Sequence, residues 1–112
     1  MSVFEQWSKA IEDRDAGALI DSLRVYFEFV CHQSGTSLNK AEMSDMLRIM
    51  VANESAVSRE IRCLYERDEG LVMYSIMDFL DGTTAAILQF SPLKDGMILK
   101  SETGATPLLK SH

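Results

Sequence analysis

The chain has 112 residues, a length that supports a single hydrophobic core and so one domain over residues 1–112. Hydrophobic residues make up 46% and charged residues 25%, enough apolar surface to offset chain entropy and to argue against disorder. The net charge of −6, with eleven scattered Lys and Arg residues, disfavours nucleic acid and anionic membranes as partners, because both require a basic surface.

No stretch approaches the roughly 20 apolar residues of a membrane-spanning helix. The opening Met-Ser-Val-Phe-Glu-Gln-Trp lacks the basic-then-apolar order of a signal peptide, so a cytoplasmic location is expected. Cys31 and Cys63 are too few for a disulfide framework and read as small apolar side chains in a reducing compartment. Two His and two Cys without paired spacing imply no metal site, and no motif calls for a cofactor.

Helix signals fill the first half. Ser2 and Glu5 have the spacing of a capping box, and Phe4, Trp7 and Ile11 follow as one apolar stripe. Asp15 is placed to cap a short second helix from Ala16 to about Leu23. Residues 25–31, Val-Tyr-Phe-Glu-Phe-Val-Cys, are β-branched and aromatic enough for a strand, yet Leu23, Phe27 and Val30 also fit a helical stripe. Asn39 and Glu42 form a second capping box, and Met43, Met46, Leu47, Met50 and Val51 make a core-facing stripe read as packing.

From Val57 the period becomes two. Four strands are readable, Val57–Glu66, Leu71–Leu80, Thr83–Leu93 and Met97–Thr106, separated by Asp68-Glu69-Gly70, Asp81-Gly82 and Asp95-Gly96. A two-residue turn at Asp81-Gly82 sets Met73 opposite Phe90, Ser75 opposite Leu88 and Met77 opposite Ala86. A similar turn at Asp95-Gly96 sets Phe90 opposite Ser101 and Leu88 opposite Thr103. A three-residue turn ending at Gly70 sets Tyr65 opposite Met73 and Cys63 opposite Ser75. The face to be covered by helices then carries Ile61, Cys63, Tyr65, Met73, Met77, Leu88, Phe90 and the neutral Ser75, Ser101 and Thr103.

The opposite face carries Arg62, Tyr74, Ile76, Asp78, Ile87, Gln89 and Glu102, a mixture too apolar for open solvent, and a symmetric homodimer through it is the simplest expectation. Asp78 falls near Glu60 there, with Arg62 as the expected counter-ion. Tyr74, Gln89 and Glu102 form one row across three strands. His32 has the near-neutral pKa of a general base at a pocket mouth, but no acid can be assigned to orient it, and solvent is its plainer setting.

The opening helix with Phe4 and Trp7, the Glu12-Asp13-Arg14-Asp15-Ala16-Gly17-Ala18-Leu19 join and the Asp-Gly hairpins at 81–82 and 95–96 resemble the nuclear-transport-factor-2-like superfamily, including SnoaL-like cyclases and ketosteroid isomerases. The resemblance implies an α+β fold, with N-terminal helices packed in a strongly curved antiparallel sheet (a cystatin-like cone), a pocket at its wide end and a dimer through the sheet. In the isomerase branch one carboxylate lies after the second helix, where Glu28 is expected to point outward, and another on the third strand, where this chain has Leu88 and Gln89.

The expected function is a small-molecule-binding domain, with an apolar pocket bordered by Trp7, Phe27, Phe29, Cys63, Tyr65, Met73, Phe90 and Thr103. One alternative is a cyclase, isomerase or dehydratase acting on a lipophilic carbonyl compound through His32 or Tyr65. The other is an interaction module whose cone is filled by its own side chains.

Overall fold

The computed structural model describes residues 2–32 and 34–108. In chain order these form α1 (Val3–Glu12), α2 (Ala16–Asp21), β1 (Leu23–Cys31), β2 (Thr36–Asn39), α3 (Lys40–Ala52), β3 (Val57–Arg67), β4 (Gly70–Asp78), β5 (Thr84–Lys94) and β6 (Met97–Leu108). The six strands make one curved, unclosed sheet in the order β2-β1-β6-β5-β4-β3, with the helices on one side.

The local signals at the helix starts take the form their spacing implies. Ser2 Oγ accepts from Glu5 N at 3.0 Å, and Asp15 Oδ1 accepts from Ala18 N at 3.1 Å. Both halves of the Asn39–Glu42 box are present, at 2.9 and 3.0 Å. A longer-range cap adds to these, because the Glu66 carboxylate on β3 accepts from Val3 N and Phe4 N. A negative group there also complements the positive end of the helix dipole.

Residues 25–31 belong to a strand. The second helix stops at Asp21, with Ser22 Oγ donating to Leu19 O, and Ser22 O receives Ile98 N, which launches β1 beside β6. That β1–β6 pair is parallel, whereas every other neighbouring pair is antiparallel. The expected curved antiparallel sheet thus carries one parallel seam. A parallel seam requires a long crossover, and α3 with the β3–β5 meander supplies it.

The turns decide the faces. At Asp95-Gly96 both residues have positive φ, 54° and 76°, so the hairpin is a two-residue turn with Lys94 opposite Met97. At Asp81-Gly82 only Gly82 has positive φ. Phe79 N donates to Thr83 O and Gly82 N to Phe79 O, so three residues, 80–82, form the loop. Asp81 Oδ1 holds Thr83 N at 2.9 Å and Thr83 Oγ1 at 2.6 Å.

The extra loop residue moves the β4–β5 register by one. Met73 faces Gln89, Ser75 faces Ile87 and Val72 faces Phe90. A one-residue slip sends every side chain of a strand to the other face. A bulge between Phe90 and Leu93, at Pro92 with its missing donor, then shifts β5 against β6, so Gln89 faces Thr103 and Phe90 faces Glu102. On the edge strand, bulges at Arg59–Arg62, where Glu60 has φ 53°, and at Cys63–Tyr65 leave Cys63 opposite Met73 and Tyr65 opposite Val72. The turn before β4 is Asp68-Glu69 alone, because Arg67 pairs with Gly70.

Packing between the helices and the sheet is built on Trp7, Ala10, Leu19, Leu23, Phe27, Met43, Leu47, Leu71, Met73, Leu93 and Ile98, all buried. Arg14 fastens the layers. Its backbone is left-handed, and its guanidinium donates to Met50 O, Val51 O, Asn53 O and Ala56 O at 3.1–3.3 Å. These carbonyls end α3 and begin the path to β3. A cation there satisfies acceptors that the helix itself cannot and sits at the negative end of its dipole.

Candidate functional site

Above this core, between α1, α3 and the inner face of the sheet, lies a half-open cavity of about 900 Å³. Its wall on the helix side is Trp7, Ile11 and the stripe Met43, Met46, Leu47, Met50 and Val51. The stripe therefore packs and also lines a space, with Met43 and Leu47 buried and Met46, Met50 and Val51 partly so. On the sheet side the wall is Phe29, Met73, Met77, Ile87 and Ala105.

The cavity's polar equipment divides by depth. Among the described residues the charged side chains of the lining are Glu12, Arg14, Arg59, Glu60 and Asp81, all solvent-exposed and so at the rim. Deeper lie neutral groups: Ser75, Gln89, Thr103 and Cys31. Gln89 Nε2 donates to Ser91 Oγ at 3.1 Å and Ser101 Oγ at 3.2 Å, and the two hydroxyls are 2.9 Å apart. Ser91 and Ser101 are buried behind the wall. Thr103 Oγ1 donates to Val30 O at 3.3 Å.

The expected pocket residues divide between the cavity wall and other parts of the fold. Trp7, Phe29, Met73 and Thr103 line the cavity. Phe27 is instead sealed in the core beneath it, 2% exposed. Cys63 shares Met73's rung but is an exposed thiol on the edge strand. Tyr65 and Phe90 are corrected outright. They occupy one rung of the outer face, Tyr65–Val72–Phe90–Glu102–Val30, and are 49% and 46% exposed. Tyr65 therefore has no access to the cavity as a catalytic group.

Two expected outer-face residues are corrected in the opposite direction. Ile87 and Gln89 line the cavity, so the Tyr74–Gln89–Glu102 row does not exist; Tyr74 pairs with Leu88, and Gln89 with Thr103. Arg62, Tyr74, Ile76 and Glu102 lie on the outer-face rungs, where the Arg62 guanidinium stacks over the Tyr74 ring at 4.4 Å. Leu88 joins them, half exposed.

Asp78 takes Arg59, not Arg62, as its partner, in a two-pronged contact at 3.0 and 3.3 Å, and also receives Thr84 Oγ1 at 2.8 Å. Arg59, then Thr84, hold its carboxyl below the ordinary carboxylate range.

His32 takes the solvent-exposed setting, not the pocket mouth. It lies outside the cavity wall, its backbone N donating to Thr103 O and its Nε2 3.1 Å from Glu102 Oε2. An acid partner does exist, on the outer face, where Glu102 also meets Lys100 at 3.1 Å and Lys100 meets Glu28 at 3.9 Å. His32 and then Lys100 hold the Glu102 carboxyl below its usual range. Glu28 is exposed, on the side of β1 away from Phe27 and Phe29.

Among the described residues no group of three or more His, Cys, Asp or Glu is placed to hold a metal, and no helix is long and apolar enough to cross a membrane. No protein-family model matches the sequence, and no curated protein does.

Solved structures do match. An NTF2-like protein of unknown function from Cytophaga hutchinsonii superposes with a TM-score of 0.75 at 12% identity, covering 93% of this chain and 87% of that one. A hypothetical protein of ketosteroid isomerase-like fold from Catenulispora acidiphila, in complex with trimethylamine, gives 0.71 at 12% identity over 91% and 83%. A SnoaL-like protein of unknown function from Burkholderia thailandensis gives 0.68 at 14% identity over 92% and 90%. The cone of helices in a curved six-stranded sheet and these superpositions together give this chain the nuclear-transport-factor-2-like fold, the fold shared by SnoaL-like and ketosteroid isomerase-like proteins.

Proposed function

We propose that this chain binds a small lipophilic molecule in its cone and works as a homodimer through the outer face of the sheet. The observation that carries the first part is the cavity, about 900 Å³ with apolar walls and, among the described residues, charge at its rim alone. That volume lies within the range of small-molecule sites. It also weighs against a cone filled by its own side chains.

The enzymatic alternative has less support. A general acid or base must lie within hydrogen-bond reach of the atom it serves. The carboxylates of the cavity are at the rim, His32 and Tyr65 are outside it, and the inner position on β5 holds the amide Gln89. Cys31 and Cys63 are thiols, which accords with a reducing, cytoplasmic setting.

The dimer rests on the outer face. Tyr65, Leu88 and Phe90 are about half exposed there, beside the partly buried Val72, Tyr74 and Ile76. One margin carries Glu28 and Glu102, and the other carries Arg62 and Arg67 stacked on Tyr74 and Tyr65. A two-fold axis parallel to the strands near the middle of the sheet would set the Glu28–Lys100–Glu102 margin of each copy against the partner copy's arginine margin.

Trp7 is the sole tryptophan and lines the cavity, so its emission reports occupancy. Titration with 1-anilinonaphthalene-8-sulfonate or 2-naphthol is expected to change Trp7 emission saturably. Filling the space by Ala105→Phe should weaken that response by about tenfold while the far-ultraviolet dichroism stays unchanged. A response that never saturates, or one unaffected by the filled cavity, overturns the binding reading.

A further inference from the structure

The amide of Gln89 sets the chemistry of what the cavity accepts. Three short contacts link Gln89, Ser91 and Ser101, at 3.1, 3.2 and 2.9 Å. Each needs one proton between its two heavy atoms. With the amide nitrogen facing the serines, the NH₂ group supplies two protons and one hydroxyl supplies the third. With the amide oxygen facing them, only two hydroxyl protons serve three contacts, and one pair of oxygens would meet bare. The network itself therefore assigns the orientation, with the amide nitrogen on the wall.

That orientation leaves Oε1 as the end of Gln89 available to the cavity, and among the described residues no group donates to it. The neighbouring Thr103 hydroxyl has its proton on Val30 O, so it too offers only lone pairs. Ser75 is the complement. It lines the cavity one rung away, beside Ile87, and its hydroxyl makes no hydrogen bond among the described residues. Gln89 and Ser75 are diagonal neighbours on adjacent strands, with Cα atoms roughly 7–8 Å apart, a gap that one oxygen atom can bridge.

We infer that the cavity selects a lipophilic alcohol or phenol, whose hydroxyl donates to Gln89 Oε1 and accepts from Ser75 Oγ. A hydroxyl satisfies both groups at once. A ketone of the same shape offers lone pairs to a carbonyl oxygen that already has its own, and an ether or hydrocarbon leaves Oε1 dehydrated and unpaired. An unpaired buried polar group costs more than a missing contact, so discrimination against the wrong ligand should exceed the gain for the right one. This inference rests on the reading of the cavity as a binding site and narrows it.

The test uses three probes of nearly equal size, 2-naphthol, 2-methoxynaphthalene and 2-acetonaphthone, titrated calorimetrically into the full chain. The expected result is 2-naphthol binding at least tenfold more tightly than either of the others. Gln89→Met should reduce that ratio to within about threefold, by weakening naphthol and not by strengthening every probe. Ser75→Ala, which leaves the Gln89–Ser91–Ser101 cluster intact, should lower naphthol affinity about three- to tenfold, and it carries the test if the Gln89 variant does not fold. Equal binding of all three probes, or a preference for the ketone, overturns the hydroxyl inference and leaves the cavity reading standing. Binding of none overturns both.

Discussion

Arg14 shows how one side chain can hold a fold together from a strained position. A non-glycine residue at φ 52° pays a conformational cost, and here the cost is offset by four carbonyls at the end of α3. Arg14→Ala keeps the strain and loses the contacts, so it should destabilise by about 1–3 kcal/mol. Arg14→Gly loses the same contacts but relieves the backbone, and should be milder than alanine by roughly 1 kcal/mol. Chemical denaturation of the two variants checks this order; alanine milder than glycine would remove strain from the explanation.

Asp78 gives a second residue-scale expectation, with a definite sign. Its carboxyl is held below its ordinary pKa of 3.8 by Arg59 and Thr84, so the folded state favours the charged form. The contribution is present above the unfolded pKa and is lost as pH falls through the lower folded value. Asp78→Asn should therefore be less stable than the parent at pH 7, and the difference should shrink as pH falls below 3.8 through the lower folded value. A constant difference from pH 7 to pH 2.5 would assign the effect to packing. The contact is exposed, so the difference at pH 7 should be small.

At the scale of elements, two identical dipeptides fold differently. Asp95 and Gly96 both take left-handed φ and close a two-residue hairpin, whereas Asp81 uses its carboxylate to bind Thr83 and leaves Gly82 alone in that region. Gly96 has open space around its Cβ position, so Gly96→Ala should cost about 1 kcal/mol through φ alone. Gly104, also open but without positive φ, should tolerate alanine with almost no loss in chain stability.

Helix starts, strand order in the meander and the α+β fold were legible because caps and period-two patterns are local. The faces of β5 were not, because they depend on one loop residue and one bulge that no local pattern announces. That single residue exchanges Gln89 with Leu88 and Ile87 with Phe90 between the cavity and the outside. Tyr65 left the pocket for the same kind of reason, through the bulges of β3. His32 and Glu102, 70 residues apart, met only through the parallel β1–β6 seam, which residues 25–31 did not reveal while strand and helix both remained open.

The whole molecule divides its two proposed activities between the two faces of one sheet, which makes them separable by mutation. Leu88 and Phe90 point away from the cavity, on β5, whose alternate residues Ile87 and Gln89 line it. Converting both to Glu, as Leu88→Glu with Phe90→Glu, places charge at the middle of the apolar patch, where a symmetric interface brings each new carboxylate close to its copy. Burying like charges together is costly, so light scattering at micromolar concentration should show a dimer for the parent and a monomer for the variant.

Because neither substitution touches the cavity wall, the saturable Trp7 response should persist in the monomer. Arg62→Glu should act more weakly, and its effect should fade as salt rises, because a rim charge is screened within about 8–10 Å. A parent chain that is monomeric at every concentration would sink the dimer while leaving the cavity untouched. Loss of probe binding together with loss of the dimer would show instead that the two faces are coupled, with the curvature of the sheet, and so the width of the cone, held by the partner's surface.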